Sequence, residues 1–292
     1  MLLPLRLLRD RWPTWLERTA DRFVWSDPSV ITRPDVTSER FREAMSAIHV
    51  GGTIKITSSD RHPEPDSLLI DHVDTTGLVI ADVGASDGST SLDLVRRLEG
   101  FAGYVISDLF LEISWARAGR RTVLYDPAGE PILLTGHRFL AWPSISRVIR
   151  TLVGPALRRV GREPRQPVTL LNPEVVALLA RDPRVTTREH DVFTEWPDPK
   201  PDVIKVANLL RRLYFGDEDI ARALRALHAS LAPGGHLLIV DNSREPGMPP
   251  RGGLYRREDT GFALVAETPN TPEIGALVLG LDAAGASKTP EA

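Results

Sequence analysis

Hydrophobic positions along this chain switch repeatedly between two periods. From Leu78 to Leu98, an apolar run (Leu78, Val79, Ile80, Ala81, Val83) interrupted by Asp82 gives way, across Gly84-Ala85-Ser86-Asp87-Gly88, to Leu92, Val95 and Leu98 at helical spacing. The run reads as a strand buried on both faces of a parallel sheet, and the spacing of Thr90 and Asp93 predicts a capping box at the start of the helix. Gly103–Asp108 is a second strand, and Asn172-Pro173 opens a helix through Val175, Val176, Leu178 and Leu179 that Asp182-Pro183 stops. Strands at Val185–Glu189, Asp202–Asn208 and His236–Val240 follow, with a helix over Asp217–Leu231 carrying three acids in its first turn. Strands alternating with helices predict an α/β fold. Gly253–Arg257 and Phe262–Glu267 pair naturally as a closing antiparallel hairpin.

Outside this core the pattern is less regular. The opening residues combine Leu2, Leu3, Leu5, Leu7, Leu8, Trp12, Trp15 and Leu16 with Arg6, Arg9 and Arg11, an amphipathic segment lacking the apolar length of a signal or a membrane span. Thr37-Ser38-Glu39-Arg40 starts a helix through Phe41, Ala44, Met45 and Ile48, which Gly51-Gly52 ends. Thr53–Asp60 reads as an edge strand or arm, and Ser67–Asp74 as a helix or an extended lead into the core. Arg121–Tyr125 and Pro131–Thr135 flank a Pro-Ala-Gly turn and predict a hairpin. Arg138–Val160 then interleaves apolar residues with five arginines, as an amphipathic stretch that could roof a pocket, form a dimer face or lie on a membrane; the roof is the favoured reading. Ala284–Ala292 reads as disordered.

The turn after the first core strand brings backbone close to a ligand and is expected to present free N–H groups at a helix N-terminus. It is not a dinucleotide fingerprint, because Ser86 stands at the second glycine position, and no Gly-Lys-Ser/Thr follows as in a P-loop. What remains is Asp82 inside the strand, ahead of Gly84-x-x-x-Gly88. This resembles motif I of the class I S-adenosylmethionine-dependent methyltransferases. Leu231-x-Pro233-Gly234-Gly235-x-Leu237-Leu238-Ile239-x-Asp241 is similar to the stretch before and within that family's fifth strand. The resemblance covers roughly residues 77–267 and leaves 110–166 unassigned.

That resemblance implies a doubly wound, seven-stranded, mostly parallel sheet with an antiparallel last strand, preceded by an N-terminal helical extension over residues 1–76, a lid by analogy. Residues 77–292 would be the methyltransferase domain, interrupted by an insertion at 110–170 after the second strand. It also implies S-adenosylmethionine as cofactor, held by Asp82, Gly84, Ala85, Ser86 and Gly88. Asp108 would take the ribose hydroxyls beside Leu109, Asp191 and Val192 the adenine, and Asn208 the region of the sulfonium. Arg211 and Arg212 are candidates to clamp an anionic substrate, Tyr214 to orient or deprotonate a nucleophile, and His137 to lie near substrate. His49, His62, His72 and His190 read as ordinary structural or surface histidines. Lys205, inside a central strand, either reaches the strand edge or is partnered by an acid such as Asp82, and pairing is the expectation. Asp241-Asn242 resembles the ligand pair of metal-dependent catechol-type relatives, but Ala207-Asn208 lacks their further aspartate, so no metal is expected.

Composition narrows the rest. The chain has 292 residues, no cysteine and a formal net charge of −3, so disulfides and thiolate metal sites are excluded and a nucleic-acid-binding role is disfavoured. A cytoplasmic location is expected. The activity so implied is metal-independent methyl transfer to oxygen, sulfur or nitrogen of a small molecule. The alternatives are a protein methyltransferase or a non-catalytic adenosylmethionine-binding protein of the same fold. Peripheral membrane contact or a homodimer through the basic amphipathic segments are the partner readings.

Overall fold

The structure, a computed structural model, describes residues 4–18, 23–24, 27–50, 53–54, 61–242 and 247–282. The expectations for Leu2, Leu3, Gly51-Gly52, the arm beyond Ile54 and Ala284–Ala292 lie outside the described residues. The chain divides into two compact units, Ser58–Leu109 with Val175–Ala292, and Met1–Thr57 with Phe110–Glu174. The boundaries therefore differ from a separate extension and insertion, because those two segments build one unit together.

The first of these units is the α/β layer. Its strands are β1 (Val79–Val83), β2 (Gly103–Asp108), β3 (Val185–Glu189), β4 (Val203–Ala207), β5 (His236–Asp241), β6 (Arg251–Arg257) and β7 (Phe262–Glu267). They lie in the spatial order β3-β2-β1-β4-β5-β6-β7. The first five are parallel, β6 runs against β5, and β7 runs against β6. The antiparallel strand is thus the sixth and not the last: β6 turns back directly from β5, and the turn closed by Glu258 N–H on the Gly261 carbonyl restores the original direction in β7.

Helices α1 (Pro63–His72), α2 (Ser89–Arg97), α3 (Pro173–Arg181), α4 (Asp217–Ser230) and α5 (Gly275–Leu279) cover the sheet. On one face Ala81, Val83, Ile204, Val206, Leu237 and Ile239 pack against Ile220, Leu224 and Leu227 of α4 and Val278 of α5. The opposite face carries Asp82 and Lys205, which are register partners on β1 and β4. Helix α1 lies on this face, and Gly252 of β6 makes that possible: a Cβ there would stand 2.7 Å from the Pro65 Cβ. The predicted capping box is not formed. Gly88 is the N-cap in left-handed conformation, and the Asp87 carboxylate accepts from Ser89 N–H.

Two groups of polar side chains are buried beneath α1 and α2, and in them Asp82 Oδ1 is left without a hydrogen-bond partner. Lys205 Nζ lies 2.7 Å from Asp66 Oδ1 of α1, with both side chains almost fully buried. Its partner is therefore Asp66 and not Asp82. Asp82 accepts instead from Ser91 Oγ (2.8 Å) and Tyr104 Oη (3.1 Å). Burial, then the Asp82 and Asp66 carboxylates, hold the Tyr104 phenol well above its usual range, so it stays protonated and donates. Burial pushes the Asp66 carboxyl up while Lys205 pulls it down.

The other unit is a seven-stranded sheet of different character. Strands 112–118, 121–125, 131–135 and 139–141 run antiparallel in sequence, 166–169 adds to one edge, and 5–8 and then 23–24 add to the other. The hairpin turning at Pro127-Ala128-Gly129 is present as predicted. The amphipathic stretch is not one helix: Phe139–Ala141 is a strand, and Ser146 caps a helix over Arg147–Val160 by accepting from Ile149 N–H. Leu5–Leu8 pairs with Phe139–Ala141, so each segment supplies hydrogen-bond partners that the other needs. One face of this sheet packs with Phe41, Met45 and Ile48 from the helical segment after Thr37, the other with Ala156 and Val160 of the arginine-rich helix.

The buried pair sets a stability prediction. Replacing Lys205 by Met leaves Asp66 and Asp82 facing each other without a cation and should cost about 3–5 kcal/mol in urea unfolding. Adding Asp66→Asn should recover part of that loss. A Lys205→Met protein as stable as the wild type would show that the pair is not ionised.

Candidate active site

In open α/β sheets ligands lie beyond the carboxyl ends of the strands, where the strand order reverses. Here that point falls between β1 and β4. The two tips approach closely: a Cβ on Gly84 would lie 2.7 Å from Leu209 Cδ2, and the φ of +77° there favours glycine. Ser86 and Asn208 also adopt left-handed backbone conformations, with φ of 59° and 58°.

The loop is not the nest of free amides expected from its sequence. Gly84 and Ala85 N–H both donate to the Ser107 carbonyl, Gly88 N–H donates to the Ala85 carbonyl, and Ser86 N–H donates to Asp108 Oδ2 at 2.8 Å. A loop with its amides so engaged is poorly suited to a pyrophosphate, which needs several N–H donors at once. What it offers instead is carboxylate and hydroxyl. Asp108 ends β2, and its carbonyl accepts from His190 N–H at the tip of β3, just before Asp191. Leu109 beside it is 46% exposed, an apolar surface at the mouth of the sheet. Ser86 Oγ is buried with no hydrogen-bond partner. This donor set fits a cationic, hydroxyl-bearing nucleoside such as adenosylmethionine.

Two of the expected cofactor contacts, those of Asp82 and Asn208, need correction. Asp82 is buried beneath the loop, where its Oδ2 accepts from Ser91 and Tyr104 and its Oδ1 has no hydrogen-bond partner, so it supports the site from below and is not exposed at it. Val192 points its side chain into the core below α4, leaving its main chain for a ligand, while Asp191 Oδ1 accepts from Phe193 N–H in a turn. The Asn208 amide is committed to protein: its Oδ1 accepts from Asn242 N–H (2.8 Å) and its Nδ2 donates to Asn242 Oδ1 (2.6 Å).

On the acceptor side, Arg212 is spent on Asp217 at 2.7 Å and on the Glu273 carbonyl, so it braces the start of α4 and is no substrate clamp. Arg211 remains a candidate: its side chain is mostly buried, its Nε has no hydrogen-bond partner, and Glu273 lies at 3.9 Å. Burial, then the Arg211 guanidinium, lowers the pKa of Arg61, with Tyr214 acting in the opposite sense, so two cations and a phenol share this corner. His137 belongs to the other unit, where its Nδ1 lies 3.1 Å from Arg11 Nη1.

His62, read from the sequence as an ordinary surface or partly buried histidine, lies at the tips of β4 and β5. It precedes α1 and is 3% exposed, with Nε2 at 2.9 Å from Asn242 Oδ1 and 3.1 Å from Asn208 Nδ2. Nε2–H donating to Asn242 Oδ1 leaves Nδ1 as a buried lone pair, whereas Nε2 accepting from Asn208 Nδ2 puts the proton on Nδ1; Nδ1 itself has no partner in either tautomer. Burial first, then the Lys205 and Arg61 charges, push the imidazole down to about 3 against the opposing Asn242 bond. The ring is neutral at physiological pH. Asp241, beside this cluster, accepts from Glu273 N–H (2.6 Å) and faces Arg251 Nε at 3.3 Å.

No family model matches this chain, and no curated protein does. Many of the solved structures to which it is similar are S-adenosylmethionine-dependent methyltransferases. The mitomycin 7-O-methyltransferase MmcR shares 16% identity over 76% of this chain and 44% of that one, with a TM-score of 0.33. The magnesium protoporphyrin IX methyltransferase ChlM from Synechocystis PCC 6803, solved with bound SAM, shares 14% over 61% of this chain and 56% of that one, also at 0.33. The methyltransferase SibL, in apo form, shares 17% over 63% and 38%, at 0.32. The chain spans between 31% and 56% of the length of such structures. Likeness at that level bears on neither substrate nor mechanism.

The depressed His62 pKa has a signed consequence. The unfolded ring titrates near 6.5 and the folded one near 3, so between those values the unfolded chain binds more protons. The stability this group contributes is complete above pH 6.5 and is lost as pH falls towards 3. His62→Gln keeps an N–H for Asn242 and removes the titration. Between about pH 7 and about pH 4 the variant's melting temperature should fall less steeply than the wild type's; equal slopes would mean that the folded ring titrates normally.

Proposed function

We propose that this chain is an S-adenosylmethionine-dependent methyltransferase acting on a small-molecule acceptor by in-line displacement, without a metal ion. The observation that carries the reading is the Gly84–Gly88 loop, which opens where the strand order reverses and is tied by Ser86 to the Asp108 carboxylate. Asp108 accepts from the ribose hydroxyls beside Leu109, and Asp191 with the Val192 main chain reads the adenine edge. Gly84 and Ala85 form the turn that places Ser86 against Asp108 beside the ligand. Adenosylmethionine, when bound, supplies a methyl group already activated on a sulfonium, so transfer depends mainly on alignment of the acceptor.

The chain's own residues provide that alignment. Arg61 and Arg211, with Tyr214, draw in an acceptor bearing a negative group. In the Nε2–H tautomer, with Asn242 Oδ1 accepting, the neutral His62 accepts a hydrogen bond at Nδ1 from an acceptor hydroxyl and orients it; a ring this hard to protonate is an orienting acceptor more than a proton sink. Engagement of Asp241 by Arg251 and Glu273, and of Asn242 by Asn208 and His62, supports chemistry without metal.

Calorimetry with adenosylhomocysteine tests the cofactor side. Asp108→Ala should weaken binding by about tenfold or more, whereas Asp259→Ala, on the exposed turn between β6 and β7, should leave it unchanged. Equal effects would remove the proposed placement. Turnover is tested by adenosylhomocysteine production with a panel of acidic metabolites and with denatured and native protein extracts. Product only with proteins would assign a protein methyltransferase, and tight binding without any product would assign a non-catalytic binding protein. With an identified acceptor, Arg211→Met should raise KM with little change in kcat, while His62→Gln should lower kcat with cofactor affinity retained.

A further inference from the structure

The helix Arg147–Val160 is apolar on two sides. Ala156 and Val160 are buried against its own sheet, with Ile149, Val153 and Leu157 partly buried beside them. On the outward side Val148 is 69% exposed, Leu152 is 70% exposed, and Pro155 is exposed as well, at spacings of four and three that keep them in one row. Ile145, 44% exposed just before the cap, lengthens the row. Nothing about packing within the unit requires this second apolar row. Contiguous exposed apolar surface rimmed by charge marks an interaction face.

The charge around the row selects its partner. Residues 138–165 carry seven arginines against a single acid, Glu163, although the whole chain is slightly acidic. Of the helix's four arginines, Arg150 pairs with Glu130 at 2.7 Å, while Arg147, Arg158 and Arg159 have no acidic partner among the described residues. At 100° per residue Arg159 falls within the row, while Arg147 and Arg158 fall on its flank. A second copy of the chain would present the same patch in a two-fold contact and set arginine against arginine. Nucleic acid would pair with the arginines but gains nothing from exposed Val148 and Leu152.

We propose that this helix docks the protein on an anionic lipid surface, lying in the interface with Val148, Leu152 and Pro155 entering the acyl boundary and the arginines on lipid headgroups. Such binding sums apolar burial and electrostatic attraction, and each arginine near the surface contributes roughly fivefold in affinity. No helix among the described residues is long and apolar enough to cross a membrane, so the contact is peripheral in kind for this element.

The test is co-sedimentation of the full chain with vesicles of phosphatidylcholine alone or mixed with phosphatidylglycerol. Binding is expected only to the mixed vesicles and should weaken as salt is raised above about 0.1 M. The double variant Val148→Glu, Leu152→Glu should lose binding by about tenfold or more with an unchanged melting temperature. Arg158→Gln with Arg159→Gln should weaken binding and flatten its salt dependence. The proposal is overturned by no pelleting with the mixed vesicles or by equal binding to phosphatidylcholine. It is equally overturned by light scattering that shows a dimer abolished by the glutamate variant, or by heparin and vesicle binding that survive that variant undiminished.

Discussion

The ion pair between Lys205 and Asp66 is the contact on which the candidate site depends. Lys205 sits at the centre of the parallel sheet and cannot remain there charged without a partner; the partner comes from α1, which precedes the first core strand. Asp66 N–H also donates to the His62 carbonyl, so the residue that neutralises the buried ammonium fixes the turn carrying His62. Burial keeps the imidazole neutral, and the charge of the same ammonium adds to it in lowering the ring's pKa. One electrostatic requirement of a central strand thereby positions a side chain at the tips of β4 and β5 and reinforces its neutral state.

Asp108 shows a comparable economy on the cofactor side. Its carboxylate receives the Ser86 amide, which holds the loop in a conformation with left-handed backbone at Gly84, Ser86 and Gly88 before any ligand arrives. Such pre-organisation lowers the ordering cost of binding. It also explains why the loop's chemistry differs from a phosphate cradle despite a similar strand-turn-helix outline. Amides consumed by Ser107 and Asp108 cannot serve a pyrophosphate, whereas the carboxylates at the tips of β2 and β3 suit a cationic nucleoside.

What the sequence made legible follows from how far each interaction reaches along the chain. Strands β1 to β5 and helices α2, α3 and α4 are local patterns, and adjacent tips then bring Asp108 and Asp191 together by sheet topology alone. The partners of Lys205, Asn208 and His62 are different in kind. Asp66 lies 139 residues from Lys205, Asn242 lies 180 from His62, and no periodicity encodes such pairs. Arg212 misled because a basic residue after β4 looks the same whether it waits for substrate or pairs with Asp217 at the start of α4. Over residues 138–160 the apolar-basic rhythm suits a helix throughout, yet Pro143 and the cap at Ser146 delay the helix, and pairing with Leu5–Leu8 turns Phe139–Ala141 into a strand.

That last pairing explains why the two outlying segments belong to one unit. Leu5–Leu8 lies between Phe139–Ala141 on one side and Phe23–Val24 on the other, so removing the first segment would expose the backbone of 139–141 as a new sheet edge. It would also uncover Leu140 and Trp142, which are packed with Leu8 and Phe41 and whose indole N–H donates to the Ala47 carbonyl. An unpaired apolar edge is an aggregation template. The N-terminal segment is therefore an integral part of the antiparallel unit, which it shares with residues 110–174.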